Sequence, residues 1–439
     1  MEKQFQENIL HLIPNIGTKT LYVATSGGVD SMVLLALCLK TGANPIALHC
    51  NFKLRGKESD NDEIFVKEFC KTKNILCITT QFETATIAKE NNEAIQVTAR
   101  NLRYDWFDTF IQADPNAVLL TAHHQNDSVE TFFINLLRGT GLYGLNGIPE
   151  KRNQIYRPLL IFSKNEIIAH ANKNAIEYRE DSSNQSTKYT RNKLRHEIIP
   201  SLESVSPQFS RKVVTLMNEL KQTTDYIDLM VEDFQKTHMR IENSISYLPI
   251  AALNTLPYPI ALRLLNGYGV SRLQFSEIIK LGNAQTGAII ENENFTFLKD
   301  RTNLLISAKQ LTEKVDIDLH KDQVPVTFRS FNTAIRFTII SEKPTMFSND
   351  IAYLDADKLQ FPLHISNQFI GLKIQPLGMK GHKLVSDILT DAKQNRFEKM
   401  RQLIVQDKKN IVWIVGQTLH HHYRLTEDTK NILKVELLE

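Results

Sequence analysis

Cysteine is scarce in this 439-residue chain, which has four cysteines and no pair spaced as Cys-x-x-Cys. They are Cys38, Cys50, Cys70 and Cys77. A disulfide framework or a structural zinc site needs more cysteines in closer pairs. We therefore expect no disulfides, no zinc and no iron–sulfur cluster, and this cysteine usage is typical of a protein in a reducing cytoplasm.

Long hydrophobic runs are also absent. No uninterrupted apolar stretch approaches the roughly 20 residues that span a bilayer, and the first fifteen residues contain acidic side chains and no long apolar segment. We therefore expect a soluble, cytoplasmic protein with no membrane partner. Apolar residues make up 42% of the chain and charged residues 23%, a globular balance that argues against disordered and coiled-coil classes.

The net charge of +3 is too small to require a nucleic-acid partner, but its distribution is uneven. Residues 371–439 contain 12 Lys and Arg against 8 Asp and Glu. A basic terminal module suits an enzyme that handles a polyanion, because neutralised phosphates release counterions. A solvated surface would explain the same charges equally well.

Short apolar runs alternate with longer amphipathic stretches between residues 20 and 138. This order predicts the α/β class, with a doubly wound and mostly parallel sheet between helices. Ligands of such sheets bind beyond the carboxyl ends of the strands. The predicted strands are 20–25, 46–50, 76–82 and 117–122, and the predicted helices are 30–39, 58–71, 94–112 and 126–138.

The remaining sequence changes character twice. Ser163 and Glu166 have capping-box spacing and predict a helix start. Polar helical patterns follow Pro200, and strand-like runs such as VTFRSF and IRFTII begin near residue 325. We therefore predict three domains, which are a nucleotide-binding catalytic domain at 1–205, a helical middle domain at 206–320 and a small α+β domain at 321–439.

The strongest local signal is Ser-Gly-Gly-Val-Asp-Ser at 26–31, between the first predicted strand and helix. Its two glycines let the backbone approach an anion, and the free amides of a helix N-terminus can hold phosphate oxygens. Asp30 would repel phosphates unless Mg²⁺ bridges them, so it is interpreted as a metal-linked residue. A polar turn with an N-cap is the simpler alternative. The predicted ATP-binding residues are Ser26, Gly27, Gly28, Val29, Asp30 and Ser31.

Two other phosphate motifs are excluded. The loop at 26–31 lacks the lysine and the spacing of a Walker A motif. Gly139, Gly141 and Gly144 form a Gly-x-Gly-x-x-Gly string, but it follows the helical run ETFFINLLR and not a strand. The string therefore lacks the context of a dinucleotide-binding motif.

A second cluster of polar residues follows the fourth predicted strand. Asp127 and Glu130 are three residues apart on a predicted helix, so they share a face. Two carboxylates there could hold a cationic substrate or Mg²⁺, or accept a proton from an attacking amine. An N-terminal dipole partner is the alternative for Asp127, and ordinary packing would explain His123 or His124 at least as well.

These motifs carry a family resemblance. The loop at 26–31 resembles the signature of the PP-loop ATP pyrophosphatases. Together with five further motifs in one order, it resembles the tRNA(Ile)-lysidine synthetase family over roughly residues 20–200. A weaker likeness continues in Pro376-Leu377-Gly378 and Val412-Trp413. The five motifs are HCNFKLR from His49, ARNLRY from Ala99, LLRGTGLYGL from Leu136, RPLL from Arg157 and YTRNKLR from Tyr189. Glu58-Ser59 follows the first of them, and Asp181-Ser182-Ser183-Asn184 comes just before the last.

The resemblance implies an adenine nucleotide alpha hydrolase-like fold and a ligase that uses ATP with Mg²⁺. Such an enzyme adenylates the C2 carbonyl oxygen of the wobble cytidine in a CAU-anticodon tRNA(Ile). The ε-amine of free L-lysine then displaces AMP, giving lysidine and a tRNA that carries isoleucine and reads AUA. The implied partners are tRNA(Ile), ATP and lysine, with tRNA contacts in the middle and terminal domains, and a homodimer is left open.

The resemblance also implies residue roles. Asp30 would lie near Mg²⁺, Asp127 and Glu130 would recognise the lysine amine, and Arg100 would support the phosphates or the activated base. A solvated helix face is the alternative for the basic stretch near residue 191. The residues implied to contact tRNA are Arg138, Arg191, Asn192 and Arg195.

The chain departs from the family pattern in two places. Phe52 and Lys53 replace His-Gly in the first motif, and Asn126 and Ser128 replace Asp and Gln in the second cluster. These departures leave the roles of the four side chains open, whereas Asp127 and Glu130 are intact.

Two other functions compete. A tRNA thiolase would use the same loop but needs cysteines, often in closely spaced pairs, that this chain lacks. A catalytically silent tRNA-binding protein would not need the carboxylates. The triple histidine at 420–422 is a poor metal site, because neighbours on a strand point to opposite faces, and we expect surface or RNA contact there.

Overall fold

The structure is a computed structural model that describes residues 1–179, 190–309, 314–330 and 333–438. The motif residues Asp181 to Asn184 and Tyr189 lie outside the described residues. The chain divides into two compact units, Met1–Asp225 and Tyr226–Glu439. The domain limits proposed at 205 and 320 stay predictions.

The first unit is built on a six-stranded sheet of order β3-β2-β1-β4-β6-β5, parallel except for the β5–β6 pair. Its strands are β1 (Thr20–Ala24), β2 (Pro45–Asn51), β3 (Leu76–Gln81), β4 (Ala117–Leu120), β5 (Lys151–Arg152) and β6 (Ile155–Tyr156). Its helices are α1 (Glu2–Leu12), α2 (Val29–Lys40), α3 (Lys57–Thr72), α4 (Thr84–Glu90), α5 (Ile95–Ala113), α6 (Gln125–Leu137), α7 (Lys164–Lys173), α8 (Thr190–Lys193) and α9 (Ile199–Val205), with a π-helical turn at Leu194–Ile198.

The four predicted strands and four predicted helices are all confirmed, each within about two residues at its ends. The predicted doubly wound parallel sheet is confirmed as well. Strand β1 pairs with β2 on one side and β4 on the other, so the strand order reverses there. The segments that follow β1 and β4 therefore leave the same edge of the sheet, where ligands of this architecture bind.

Helix α2 is apolar around most of its surface because it is buried on several sides. Met32, Leu34 and Leu35 are fully buried, in one cluster with β1 and with apolar residues of α1 and α7. Helix α7 starts where the capping box predicted it, since Ser163 Oγ accepts a hydrogen bond from the Glu166 amide. This packing holds the N-termini of α2 and α7 at the functional edge of the sheet.

Glu63 of α3 is a buried carboxylate that ties the helix to the edge of the sheet. Lys67 Nζ lies 2.6 Å from it, Asn51 Nδ2 3.0 Å, Gln81 Nε2 2.9 Å and Thr79 Oγ1 3.0 Å. Burial alone would raise the pKa of Glu63, but these hydrogen bonds outweigh it and lower the pKa to about 2. The ionised form is therefore part of the folded state.

The Glu63→Gln variant is expected to lower the free energy of unfolding by about 2 kcal/mol at pH 7, because the amide loses the charge that four donors stabilise. A carboxyl group whose pKa is lowered by folding stabilises the folded state at pH values above its unfolded-state pKa. That stabilisation is lost as the pH falls through its folded-state pKa. The difference from wild type should therefore shrink between pH 4.5 and about 2. Urea unfolding across this range measures it, with exposed Glu68→Gln on the same helix as the control. A difference independent of pH would contradict this account.

The second unit contains the predicted helices and strands together with a sheet that the sequence did not predict. Helix α10 (Phe209–His238) begins in the first unit, and α11 (Ile250–Thr255), α12 (Tyr258–Asn266), α13 (Phe275–Leu281), α14 (Val385–Asp391) and α15 (Arg396–Arg401) follow. The unpredicted sheet has the order β7-β8-β11-β10-β9 and is antiparallel. Its strands are β7 (Arg240–Glu242), β8 (Ile245–Pro249), β9 (Ile289–Glu291), β10 (Phe295–Asp300) and β11 (Asn303–Ala308).

This sheet was not predicted because buried and exposed residues alternate little along its strands. Strands β10 and β11 each carry four consecutive buried residues, a run that periodicity does not distinguish from a buried helix. Their hairpin pairs Asp300 with Asn303, and its first loop residue, Arg301, has φ +45°. A turn of this kind is usually signalled by Asn-Gly, and the sequence here lacks it.

The strands predicted in the runs VTFRSF and IRFTII, near residue 325, are confirmed. Three sheets occur there, with orders β12-β16-β19-β20-β21, β13-β14-β22-β15 and β17-β18. Their strands are β12 (Asp316–Leu319), β13 (Val326–Ser330), β14 (Thr333–Ile340), β15 (Ile351–Asp355), β16 (Leu363–Ser366), β17 (Lys373–Ile374), β18 (Lys383–Leu384), β19 (Ile404–Gln406), β20 (Ile411–Ile414), β21 (Thr418–Leu419) and β22 (Ile432–Leu438).

No helix among the described residues is long and apolar enough to cross a membrane.

Candidate active site

The loop at 26–31 joins β1 to α2 and is shaped by its first glycine. Gly27 has φ +91°, in the left-handed region that a side chain disfavours. Ser31 Oγ donates to the Gly28 carbonyl at 2.9 Å and accepts from the Ser26 amide at 3.1 Å. Ser31 therefore fixes the turn, while the first amides of α2, a twelve-residue helix, are left for an anion.

A cavity of about 290 Å³ opens beside this loop. We call it the nucleotide cavity. It is lined by the end of β1, the segment after β4 and one face of α5, together with Asp127 and Arg191. The lining residues beyond those two are Ala24, Thr25, Ser26, Asp30, Ser31, Leu48, Cys50, Phe52, Arg103, Tyr104, Phe107, Thr121, Ala122 and His123.

Asp30 is paired with a lysine that the sequence analysis did not single out. Lys164 Nζ lies 2.7 Å from Asp30 Oδ1 and 2.8 Å from Oδ2. The backbone amide of Lys164 donates to Asn126 Oδ1 at 2.9 Å, which ties the start of α7 to the start of α6. His124 Nε2 is 3.9 Å from Asp30 Oδ1 and 3.4 Å from Asp127 Oδ2. His124 therefore lies between the two carboxylates.

Asp127 and Glu130 lie together on α6, as predicted, and two arginines pair with them. Arg191 Nε donates to Glu130 Oε2 at 2.7 Å, and Arg195 Nε donates to Glu130 Oε1 at 2.6 Å. Both arginines also reach Asp127 Oδ1, at 3.3 Å each. The Glu130 side chain is 2% exposed, so both of its oxygens are held in a buried ionic cluster, whereas Asp127 is held less tightly.

The surroundings of Asp127 favour its ionised form, and those of His123 favour a neutral imidazole. Burial would raise the pKa of Asp127, but His124, the His124 amide and Arg191 together lower it. Burial lowers the pKa of His123 to about 4, and neighbouring arginines add to the shift while Asp127 opposes it. Asp127 is therefore a better ligand for a cation than a general base near pH 7, and His123 is neutral there.

A second cavity of about 300 Å³ is lined by Asp127, Glu130 and Arg195 of this cluster. We call it the rear cavity. Asp30 and Asp127 line both cavities, so a group bound in one lies next to a group bound in the other. The remaining residues of the rear cavity are His124, Asn126, Val129, Glu130, Lys164, Arg195, Ile199 and Ser210.

Other predicted site residues lie further away. Arg100 is exposed on α5, with its guanidinium 4.9 Å from the Tyr104 ring centre, and it does not line either cavity. Arg103, one turn later, lines the nucleotide cavity and lies over the Phe52 ring at 5.1 Å. Arg138 is exposed at the far end of α6, roughly 16 Å along the helix from Asp127.

The basic stretch on α8 and the following π-helical turn has two faces. Arg191 and Arg195, predicted as tRNA contacts, point into the carboxylate cluster. Asn192 is half-buried, and Lys193 and His196 are exposed. The spacing of four residues between the two arginines puts them on one face of the turn. The matching pair of carboxylates on α6 is the sequence signal that could have predicted their pairing.

The departures from the family pattern have local explanations. Lys53 has φ +50°, so the family's glycine suits this position and lysine is tolerated in a left-handed conformation. Asn126 is the acceptor that holds the Lys164 amide. Ser128 Oγ accepts the Ile148 amide at 2.9 Å and so anchors the loop after α6.

The triple histidine does not form the expected surface strand. His420 is 5% exposed, and its Nδ1 accepts the His422 amide, while His421–Tyr423 form a 3-10 turn. The prediction of surface contact is therefore wrong for His420. Within the residues that the structure describes, no group of three or more His, Cys, Asp or Glu side chains could hold a metal ion.

Comparison with known families gives two matches along the chain. Residues 1–202 match a model of the PP-loop domain. Residues 241–310 match a model of the TilS substrate binding domain, and this segment includes the five-stranded sheet.

Curated relatives align over almost the whole chain. A tRNA(Ile)-lysidine synthase of Parabacteroides distasonis is 34% identical over 96% of this chain and 96% of its own length. This chain belongs to the tRNA(Ile)-lysidine synthase family. The enzyme of that name from Bacteroides thetaiotaomicron is 33% identical over 94% of both chains, and the one from Bacillus subtilis is 29% identical over 90% of this chain and 89% of its own. The family assignment sets the tRNA thiolase alternative aside.

Solved structures resemble parts of the chain. A U34-tRNA thiolase from Methanococcus maripaludis covers 50% of this chain and 78% of its own, with 19% identity and a TM-score of 0.41. A TILS C-terminal domain covers 28% of this chain and 95% of its own, with 22% identity and a TM-score of 0.26.

Proposed function

We propose that the chain performs its family's reaction, and that the two adjoining cavities divide the work. ATP binds in the nucleotide cavity and free lysine binds in the rear cavity. The observation that carries this assignment is that Asp30 and Asp127 line both cavities. A cytidine C2 adenylated near Asp30 would then lie next to an amine held by Asp127, as a two-step ligation requires.

The 26–31 loop supports the ATP role. Its amides, with the positive end of the α2 dipole, suit the phosphates. Asp30 would help to hold the Mg²⁺ of a bound nucleotide, and the ion would neutralise phosphate charge, because Mg²⁺ usually binds one or two carboxylates beside substrate phosphates. Lys164 supplies the positive charge at Asp30 in the free chain, and a bound Mg²⁺ would compete with this ammonium for the carboxylate.

The rear cavity supports the lysine role. Asp127 has a lowered pKa and only long contacts to the arginines, so it can accept the hydrogen bonds of a substrate ammonium or amine. Glu130 fixes Arg191 and Arg195 around it. In this proposal Glu130 contacts the lysine amine. Because Glu130 also pairs with Arg191 and Arg195, it keeps the two arginines from closing onto Asp127.

The chemistry balances in two steps. The C2 carbonyl oxygen of cytidine attacks the α-phosphorus and pyrophosphate leaves, which makes the oxygen part of an AMP leaving group. The deprotonated ε-amine of lysine then attacks C2 and the carbon–oxygen bond to AMP breaks, with the amine proton passing to solvent or a nearby group. The products are lysidine, AMP and pyrophosphate.

The tRNA would be held by basic side chains around this site and by the later domains. Arg138 is exposed and Asn192 is half-buried, while Arg191 and Arg195 line the cavities where a splayed-out cytidine must enter. Arg100, near the nucleotide cavity, is proposed to approach the phosphates or the activated base once tRNA is bound. We further propose that the enzyme works in the cytoplasm. The family resemblance leaves a homodimer open, and light scattering of the purified chain would measure its oligomeric state.

Radiolabelled lysine tests the function directly. The purified chain with ATP and Mg²⁺ is expected to label a CAU-anticodon tRNA(Ile) transcript and to leave a transcript with a substituted wobble base unlabelled. Pyrophosphate release without lysine should require the same transcript. A catalytically silent tRNA-binding protein would bind the transcript, release no pyrophosphate and incorporate no label, and that outcome would overturn the proposal.

The Asp127→Ala variant tests the lysine site. Loss of one charge-assisted contact to the amine is expected to cost at least tenfold in lysine incorporation at low lysine concentration. The measurement is initial labelling rate against lysine concentration. Labelling that equals the wild type would remove Asp127 from the mechanism.

A further inference from the structure

The side chain of His49, on β2, bonds to the backbone immediately before the 26–31 loop. Its Nδ1 lies 2.9 Å from the Thr25 carbonyl oxygen. The Thr25 amide continues the sheet by donating to the Leu48 carbonyl at 2.9 Å, but no backbone amide of the described residues donates to the Thr25 carbonyl. The chain therefore leaves the hydrogen-bond ladder of the sheet at Thr25, and the imidazole takes the place of a ladder amide.

Burial keeps this imidazole neutral. His49 is 3% exposed, and burial lowers its pKa, while the Thr25 carbonyl and the carboxylates of Glu63 and Asp62 only partly oppose the shift. A neutral imidazole has one N–H, and a carbonyl oxygen can only accept, so the proton is assigned to Nδ1. Nε2 is buried and has no hydrogen-bond partner among the described residues. The polar role of the side chain therefore depends on Nδ1.

The bonded carbonyl shares a peptide plane with the first amide of the loop. Because a peptide unit is planar, the Thr25 carbonyl and the Ser26 amide rotate together. This amide donates to Ser31 Oγ at 3.1 Å, and Ser31 Oγ donates to the Gly28 carbonyl at 2.9 Å. His49 and Ser31 thus hold the peptide from its two sides, and its orientation is passed through Ser31 to the middle of the loop.

A second peptide of the loop is held in the same way. The Gly27 carbonyl accepts the Arg179 amide at 3.0 Å, and the Gly28 amide in the same plane donates to Ser26 Oγ at 3.3 Å. Arg179 is itself fixed, because its Nε lies 2.6 Å from Asp62 Oδ1. The loop is therefore shaped by groups outside it, and His49 supplies the contact at its start.

His49 does not line the space in which the nucleotide is proposed to bind. Its neighbours on β2, Leu48 and Cys50, line the nucleotide cavity, whereas His49 does not. Successive side chains of a strand point to opposite faces of the sheet, so the imidazole lies on the face opposite these two side chains. An effect of His49 on the nucleotide must therefore pass through the backbone of the loop.

We propose that His49 is a positioning residue for ATP, which sets the orientation of the Thr25–Ser26 peptide and thereby the shape of the 26–31 loop. This inference rests on the proposed function, because it takes ATP as the ligand of the loop. Without the Nδ1 donor the peptide is free to rotate, and the Ser26 amide loses its alignment with Ser31. The loop must then be ordered when ATP binds, which weakens binding.

Two substitutions of His49 separate the hydrogen bond from packing. His49→Asn keeps an N–H on the carbon that carries Nδ1, whereas His49→Leu branches at the same carbon without a donor and fills more of the imidazole's volume. We expect His49→Leu to raise the Kd of a non-hydrolysable ATP analogue with Mg²⁺ about tenfold, and His49→Asn to stay within about threefold of the wild type. A role in packing alone predicts the reverse order, because His49→Asn leaves the larger void.

Equilibrium dialysis of the full chain measures these affinities. His170→Leu is the matched control, since His170 is buried in the same unit and its ring contacts Asn174. In tRNA-dependent pyrophosphate release, His49→Leu should raise the KM for ATP and leave kcat within about threefold, because the cost falls on ATP binding. The ¹⁵N NMR spectrum of the histidine rings in the wild type should show His49 neutral with its proton on Nδ1, a readout that needs no variant.

Three results would overturn the role of His49. They are a wild-type Kd in His49→Leu, equal losses in His49→Leu and His49→Asn, and a wild-type ring protonated on Nε2 alone, which has no proton to donate to Thr25. A wild type that does not bind the ATP analogue would refute the proposed function and this inference with it. A wild type that binds the analogue but incorporates no lysine would refute the ligation alone and leave the role of His49 standing.

Discussion

The Glu130→Gln variant is expected to incorporate lysine about 100-fold more slowly than the wild type at low lysine concentration, while tRNA-dependent pyrophosphate release stays within about tenfold. The amide keeps the shape of the side chain but loses the charge that both Arg191 and Arg195 contact at 2.7 and 2.6 Å. Breaking a fully buried ion pair costs about 3–5 kcal/mol because the remaining charge is left uncompensated, and the partial exposure of Arg191 (42%) and Arg195 (34%) puts this cluster at the lower end of that range. The loss falls on the lysine step, since Glu130 lines the rear cavity and not the nucleotide cavity.

Parallel assays of label incorporation and pyrophosphate release separate the two steps. Glu219→Gln, exposed on α10, is the matched control for loss of a carboxylate. Glu130→Asp adds a conservative comparison, because it restores the charge at a shorter reach. Equal losses in both assays would show that Glu130 supports the whole fold of the site, and undiminished incorporation would remove it from the lysine site.

The 26–31 loop and the elements around it were predictable because their signals are local. The 26–31 loop, the strand before it and the helix after it are contiguous, and glycines and helix starts act within a few residues. Asp127 and Glu130 were also predictable as a pair, since three residues along a helix bring side chains to one face. The capping box of Ser163 and Glu166 is equally local, and it begins α7 as expected.

The partners of these residues were not predictable, because folding brings them from far along the chain. Lys164 reaches Asp30 across 134 positions, and Arg195 reaches Glu130 across 65. A lysine at a helix start and an arginine in a basic stretch can each serve several roles. The sequence therefore does not indicate which carboxylate either of them pairs with.

The pairing of Asp30 with Lys164 leads to the second large prediction. Asp30→Asn is expected to lower tRNA-dependent pyrophosphate release about 1,000-fold, because an amide neither balances Lys164 nor binds the Mg²⁺ of ATP as a carboxylate does. Both carboxylate oxygens are within 2.8 Å of Nζ, and the neutral side chain would leave that ammonium unpaired beside the phosphates. Initial rates of pyrophosphate release over a range of Mg²⁺ concentrations measure the effect, with Asp105→Asn, exposed on α5, as the control.

A double-mutant cycle with Lys164→Met then separates the two jobs of the carboxylate. If Asp30 served only to pair with Lys164, the double variant would recover most of the rate, because neither charge would be left alone. If Asp30 also binds Mg²⁺, the double variant stays as slow as Asp30→Asn. The Lys164→Met variant alone keeps more of the rate. Its Mg²⁺ dependence shifts to lower concentrations, because the ion no longer competes with an ammonium. Full recovery in the double variant would therefore contradict the metal role, and an unchanged rate in Asp30→Asn would contradict both.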